Sequence, residues 1–286
     1  MAKLIIMKGL PASGKSTEAE RILRESGNTV RLNKDLIRQM LHFDIFNHTN
    51  ESMTVEAELS LASNFLSKGK NVIIDDTNLN PNVVQRWVDL AKAHEAKIEH
   101  HDYTSIDVNT CIFRDTFRKN KVGNHVIIKM ALQRLNYLKG EKIVVCDLDG
   151  TLCDIEHRRH FVQGENKDWK GFFDNMDKDT VRLDVLAMLD EAMESGQKII
   201  FVSARPEDYR GVTEKWLSDN IDIQYECLIM REENDRRQDT LVKKDIYTKY
   251  LSHLDIDTVI DDRPSVIRMW QGFGLDVVDV GNGEEF

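Results

Sequence analysis

Short apolar runs alternate along this chain with segments whose apolar residues recur every three or four positions. The order predicts a strand over 4–7, a helix over 15–24, a strand over 29–32, helices over 36–41 and 54–68, a strand over 71–75, a helix over 81–94, a strand over 97–102 and two helices ending near residue 138. A second series starts at Lys142 with a strand over 142–146, a helix over 184–195, a strand over 198–202, a helix over 209–220, strands near residue 228 and over 258–260, and a last helix and strand reaching residue 280. Brief apolar runs separated by helical periodicity build parallel sheets wrapped by helices. Gly140 is the breaker between the series, so the chain reads as two α/β domains, 1–140 and 141–286. Residues 153–182 interrupt the second series with a polar stretch carrying Phe161, Trp169, Phe172 and Phe173, which predicts a small cap over that domain's site.

A length of 286 residues is enough for two such cores. No apolar run approaches the ~20 residues of a membrane helix, and Met1-Ala-Lys leads directly into the first strand, so a cytoplasmic protein without a leader is expected. The four cysteines, Cys111, Cys146, Cys153 and Cys227, form no CxxC pair and predict thiols rather than disulfides or a zinc site. Net charge is −10, unevenly spread. Residues 1–140 hold 20 Lys plus Arg against 16 Asp plus Glu, a balance of +4, and the remainder holds 19 against 33, or −14. That excludes a protein that coats long nucleic acid by charge alone, and it fits an enzyme that acts on the ends of a polyanion. Plain acidity for solubility explains the second half equally well.

Gly9-Leu-Pro-Ala-Ser13-Gly14-Lys15-Ser16-Thr17 lies between a predicted strand and a predicted helix, the context of a P-loop. Backbone amides of such a loop, with Ser13 at its turn, cradle the phosphates of a nucleotide such as ATP. Lys15 neutralises the outer phosphates, and Ser16 or Thr17 ligates magnesium. Asp35 and Arg38, in Asn-Lys-Asp-Leu-Ile-Arg, follow the second strand, where an acceptor hydroxyl would be presented. Asp35 fits a general base and Arg38 a phosphate ligand. Asp35 fits equally well as the N-cap of the helix that starts at Leu36. Asp75-Asp76-Thr77 closes the third strand and offers a contact to magnesium or water, while Arg114 and Arg118, four apart on one helix face, offer charge to a transferring phosphate or to solvent.

Asp147-Leu-Asp149-Gly150-Thr151 ends the buried strand 142–146. Two carboxylates at this spacing suit an aspartate that attacks phosphorus, Asp147, and a partner that protonates the leaving oxygen and then activates water, Asp149. Thr151 can donate to the phosphate. Ser203 after the strand 198–202, Lys243 opening a later helix, and Asp261-Asp262 after the strand 258–260 follow in the required order. Ser203 and Lys243 would bind phosphoryl oxygens, and magnesium would take its oxygen ligands from Asp147, Asp149, Asp261 and Asp262.

The two constellations together resemble the bacteriophage T4-type polynucleotide kinase/phosphatase family over nearly the whole length, with an N-terminal 5′ kinase of P-loop fold and a C-terminal 3′ phosphatase of the haloacid dehalogenase superfamily. The resemblance implies that Lys15 and Ser16 bind donor phosphate, Asp35 is the general base, Arg38 and Asp76 lie on the acceptor side, and Arg118 stabilises the transferring charge. In the phosphatase it adds Arg205 and Arg231 to Asp147, Asp149, Ser203, Lys243, Asp261 and Asp262. Lys34 stands where an arginine is expected, and residues 44–53 have no counterpart. The implied activity is end healing: ATP and Mg2+ phosphorylate a 5′-hydroxyl, and a 3′-phosphate, with 2′,3′-cyclic phosphate a further candidate, is removed from single-stranded or nicked RNA or DNA, in concert with a ligase. Oligomers are compatible with the sequence. The competing readings are the same two chemistries on a nucleoside or another small metabolite, and a nucleotide-sensing scaffold without turnover.

Overall fold

The computed structural model describes residues 1–135 and 137–285 and divides the chain into two compact units, Met1–Leu135 and Asn136–Phe286. That division falls five residues before the expected 140/141 boundary, because the helical segment ending near residue 135 closes the first unit.

The first unit runs β1 (Lys3–Lys8), α1 (Lys15–Glu25), β2 (Thr29–Leu32), α2 (Lys34–His42), α3 (His48–Ser67), β3 (Asn71–Ile74), α4 (Pro81–Ala93), β4 (Lys97–Asp102), α5 (Val108–Asp115) and α6 (Asn124–Met130), which continues as a π-helical turn to Leu135. Its sheet is parallel throughout, in the order β2-β3-β1-β4. Because β1 is apolar on both faces, Leu4, Ile6, Val72 and Ile74 pack on Ala62, Leu66 and Trp87 on one side, and Ile5, Met7 and Ile73 on Ala19 on the other. Helix α3 begins six residues earlier than its apolar periodicity predicts, since Asn47 caps it by accepting from the Asn50 amide at 2.8 Å.

The second unit runs β5 (Lys142–Cys146), β6 (Cys153–Asp154), α7 (Glu156–Arg159), α8 (Trp169–Asp174), β7 (Thr180–Val181), α9 (Leu183–Glu194), β8 (Lys198–Pro206), α10 (Arg210–Asn220), β9 (Cys227–Arg231), α11 (Asp239–Ile246), β10 (Asp255–Asp261), α12 (Pro264–Gly272) and β11 (Val277–Asp279). Its main sheet is also parallel, ordered β11-β10-β5-β8-β9, and the antiparallel pair β6-β7 frames the insert at 153–182. All four cysteines are buried thiols. Among the described residues no helix is long and apolar enough to cross a membrane.

In each sheet the strand order reverses about one central strand, β1 or β5, and ligands of open parallel sheets bind outside the carboxyl ends of strands at such switch points. The P-loop leaves β1 there, and Asp147 leaves β5 there.

Candidate functional site

In the first unit, the loop after β1 turns at Gly9, whose φ of +149° and whose closeness to Ser13 Oγ and Tyr103 leave no room for a Cβ. Helix α1 opens from Gly14 without a side-chain cap, so the amides of its first turn are presented to an anion by the geometry that binds phosphate. Ser13 and Lys15 are buried, Ser16 and Thr17 exposed. The Lys15 ammonium donates to the Leu10 carbonyl at 2.5 Å and to Ser13 Oγ at 3.4 Å, and burial lowers it to about 8. Ser16 donates to Asp75 at 3.2 Å, and Arg31 holds the other Asp75 oxygen at 2.5 and 2.9 Å. Of the two carboxylates that close β3, the one beside Ser16 is therefore Asp75. Asp76 turns elsewhere: it is buried, accepts the Lys34 amide at 3.1 Å, and lies against Glu58, which burial and Asp76 raise to about 9.

The cap of α2 is Asn33, whose side chain accepts from the Leu36 amide at 3.0 Å. This removes capping as the role of Asp35, which sits one residue inside the helix, 82% exposed, and bonds Arg38 at 2.7 Å. Glu51 of α3 grips the same guanidinium at 2.8 Å, so Arg38 is held from two helices. On the other flank Arg118 pairs with the buried Asp115 at 3.0 Å, and Asp115 also accepts the amides of Val122 and Gly123 at 2.9 Å. Arg118 lies near enough to Lys15 to help lower it, while Arg114 reaches the Ser13 carbonyl at 3.5 Å.

In the second unit, β5 delivers Asp147 into a cavity of ≈ 950 Å³. The buried Lys243 ammonium lies 2.8 Å from both Asp147 and Asp261. Lys243 sits within α11 rather than at its start, and Trp270 of α12 donates to Asp261 at 3.2 Å. Burial opposes the charge on Lys243, but the two carboxylates hold it protonated. Burial, with Asp261 and Asp262 alongside, raises Asp147 to about 8. Oxygens of Asp147, Asp261 and Asp262 lie within 4.8 Å of one another, a set of hard donors that fits a magnesium-sized cation. Asp149 is outside that set. Thr151 donates to Asp147 at 3.4 Å and to Asp262 at 3.0 Å. Gly150 is required because its φ is +84° and a Cβ would lie 2.2 Å from Asp262 Oδ2.

Asp149 belongs to a different group. Arg205 grips it at 2.6 Å, and Arg158 of the insert donates to the same oxygen, Oδ1. Burial opposes its charge, yet these two guanidiniums hold its carboxyl well below the usual range. Asp179, at the end of the insert, bridges both arginines at 2.6 Å and 3.0 Å. Because β8 runs on to Pro206, Ser203 lies within the strand rather than after it; it is fully buried and accepts the Arg205 amide at 3.2 Å. Arg231 lines the cavity wall, donating to the Ala204 carbonyl at 2.6 Å and pairing with Asp239, which also binds Arg263. The structure thus gathers the expected second-site residues around one cavity and adds Arg158, Asp179, Asp239 and Arg263. The only sequence signal for these four is their place after strand ends or within the interrupting insert.

An aspartate at the tip of a central parallel strand, fixed by a buried lysine beside two further carboxylates, defines a phosphatase of the haloacid dehalogenase class. The family profile described as the polynucleotide kinase PNKP phosphatase domain matches residues 141–285, and the chain belongs to that family. Residues 4–130 match an AAA domain profile. A protein of Autographa californica nuclear polyhedrosis virus, provisionally named a bifunctional polynucleotide kinase/RNA ligase, is 28% identical over 309 residues, covering 96% of this chain and 42% of its own length. The chain therefore spans less than half of that relative. Two solved structures, described as the Pnkp1/Rnl/Hen1 complex and the Pnkp1/Rnl/Hen1 RNA repair complex, are 26% and 27% identical over 99% of this chain, covering 98% and 97% of theirs, with TM-scores of 0.44 and 0.45.

Proposed function

We propose that the chain heals nucleic-acid ends: the first unit transfers the γ-phosphate of ATP to a 5′-hydroxyl, and the second removes a 3′-phosphate. The observation that carries this is the pairing of Lys15, at the mouth of an uncapped helix, with Asp147, ion-paired to Lys243 beside Asp261 and Asp262, in a chain whose C-terminal half matches the polynucleotide kinase phosphatase profile.

In the kinase step Asp35 accepts the proton of the 5′-hydroxyl, Arg38 holds the adjoining backbone phosphate, and Lys15 with Arg118 balances charge on the phosphoryl group in flight. Ser16 and Asp75, hydrogen-bonded to each other, would hold the magnesium of MgATP. In the phosphatase step an Asp147 oxygen bonds to phosphorus as the bond from phosphorus to the 3′ oxygen breaks, and Asp149 gives that oxygen a proton. Water then attacks the aspartyl phosphate, returns a proton to Asp149, and leaves inorganic phosphate and free Asp147. Asp149 starts this cycle as an ion. An incoming phosphate that competes for Arg205 and Arg158 weakens their hold and lifts Asp149 toward protonation. When bound by Asp147, Asp261 and Asp262, a divalent cation supplies charge neutralisation that keeps Asp147 ionised.

The name of the viral relative, which joins kinase and ligase, favours RNA ends and a ligase acting next. End-labelled RNA and DNA strands, with and without a 3′-phosphate, test the proposal directly. Expected are label transfer from γ-labelled ATP to 5′-hydroxyl strands and phosphate release from 3′-phosphorylated strands, and turnover of mononucleosides alone would overturn it.

A further inference from the structure

Beside the nucleophile, the same cavity is walled by aromatic rings that the hydrolysis does not use. Trp169, at the start of α8, is 43% exposed, whereas the other three tryptophans are no more than 3% exposed. Its ring stacks on Phe173 at 6.0 Å and 25°, and Phe173 leans on Tyr209 at 5.3 Å and 38°. Beneath them Phe172 is buried, with the Arg158 guanidinium 4.1 Å from its centroid, so the aromatic wall and the arginine that grips Asp149 are packed together. The Lys167 ammonium lies 5.5 Å from the Trp169 centroid, and Arg236 lines the same cavity. Neither Lys167 nor Arg236 forms a salt bridge among the described residues, so their charge is available to a polyanion.

Taking the end-healing reading as its basis, we infer that Trp169, supported by Phe173 and Tyr209, is a stacking platform for a nucleobase at the 3′ end of a single strand, with Lys167 and Arg236 meeting the flanking phosphates. An exposed indole backed by two further rings is sequence-tolerant toward bases, since every base has a flat face. A base that lies on the protein has left its own helix, so the substrate class is single-stranded or frayed 3′ ends in preference to blunt duplex.

The test compares wild type, Trp169→Ala and Trp169→Phe on a 3′-phosphorylated single-stranded oligonucleotide, the same strand abasic at its last two positions, the strand in a blunt duplex, and p-nitrophenyl phosphate. Trp169→Ala is expected to lower kcat/KM on the intact strand, chiefly through KM, by roughly 5- to 100-fold more than on p-nitrophenyl phosphate, the size of one base stacked on one ring. Trp169→Phe should restore most of that loss, and the abasic strand should make wild type and Trp169→Ala alike. The indole fluorescence of an Asp147→Asn background should be quenched by the intact strand and far less by the abasic one. Parallel losses on the strand and on p-nitrophenyl phosphate, or equal use of intact and abasic ends by wild type, would overturn the platform. Wild type that cleaves p-nitrophenyl phosphate but no oligonucleotide would instead overturn the end-healing reading, and the platform with it.

Discussion

Asp149 is gripped by two fully buried arginines that Asp179 ties to each other, whereas Asp35 is 82% exposed and touches a single arginine, Arg38. Both carboxylates are proposed to carry a proton during phosphate chemistry. The difference lies in what completes each site. In the phosphatase, charges of both signs are already paired inside the fold, and a substrate must compete for them. In the kinase, the proposed base Asp35 is exposed, and Lys15 bonds to carbonyl and hydroxyl oxygens of its own loop, so the site's electrostatics are finished by nucleotide and acceptor. A preorganised site draws its transition-state stabilisation from the fold itself, while an open one depends on its substrates for part of it.

The largest effects should separate the two sites. Asp147→Asn is expected to lower release of 3′-phosphate by at least ~10⁴-fold in single turnover while 5′ phosphorylation persists, and Lys15→Ala should do the reverse. Silencing of both activities by either change, in folded protein, would break the comparison at its root.

The contrast between built-in and borrowed electrostatics predicts opposite stability signatures. Arg158→Ala leaves Asp149 and Asp179 short of a buried partner and should cost about 3–5 kcal/mol in thermal or urea unfolding. Asp35→Asn should leave Tm unchanged yet lower kinase kcat by ~10² to 10⁴, the usual loss on removing a general base. Asn33→Ala provides the control: with the true cap gone, stability should fall by about 1 kcal/mol. A drop in Tm for Asp35→Asn with normal turnover would return Asp35 to a structural role.

Smaller effects should distinguish the two arginines of the kinase flank. Arg118→Ala should reduce kcat about 10²-fold with little change in KM for ATP, as expected of a group that acts mainly in the transition state. Arg114, bonded to the Ser13 carbonyl, should change KM more than kcat when replaced by alanine. Equal small effects at both would mark them as a solvated face.

The gentlest prediction concerns pH. Burial holds Lys15 at about 8 in the free protein, and nucleotide phosphates raise it, so binding takes up a proton once the pH exceeds 8. ATP affinity should therefore fall as pH rises, by about tenfold between pH 7 and 9, with calorimetric heats that depend on the buffer. Lys15→Arg, charged throughout, should show no such trend.

Much of this is legible in the sequence. The strands 29–32, 97–102 and 142–146 match β2, β4 and β5, because each is a compact run between turn residues. The P-loop and the Asp147 motif are local in sequence, so spacing and the flanking elements are enough to single out their residues. Arg158 and Asp179 were not legible: they lie 21 residues apart in a stretch without periodicity, and only folding against β5 and β8 makes them partners of Asp149 and Arg205. Asn33 was hidden by its neighbour, since either polar residue before Leu36 satisfies the capping preference. Trp169 stood out as aromatic, but its exposure and its stack on Phe173 exist only in three dimensions.

The knot formed by Asp149, Arg158, Asp179 and Arg205 also limits how this phosphatase can be re-engineered. Two of its four members belong to the insert, so the cap is not a detachable module: exchanging residues 153–182 wholesale would discard half of the network that sets the acid. Altered substrate range is better sought by rewriting the exposed residues 163–167 between those anchors, while Phe172, which packs on Arg158, is kept.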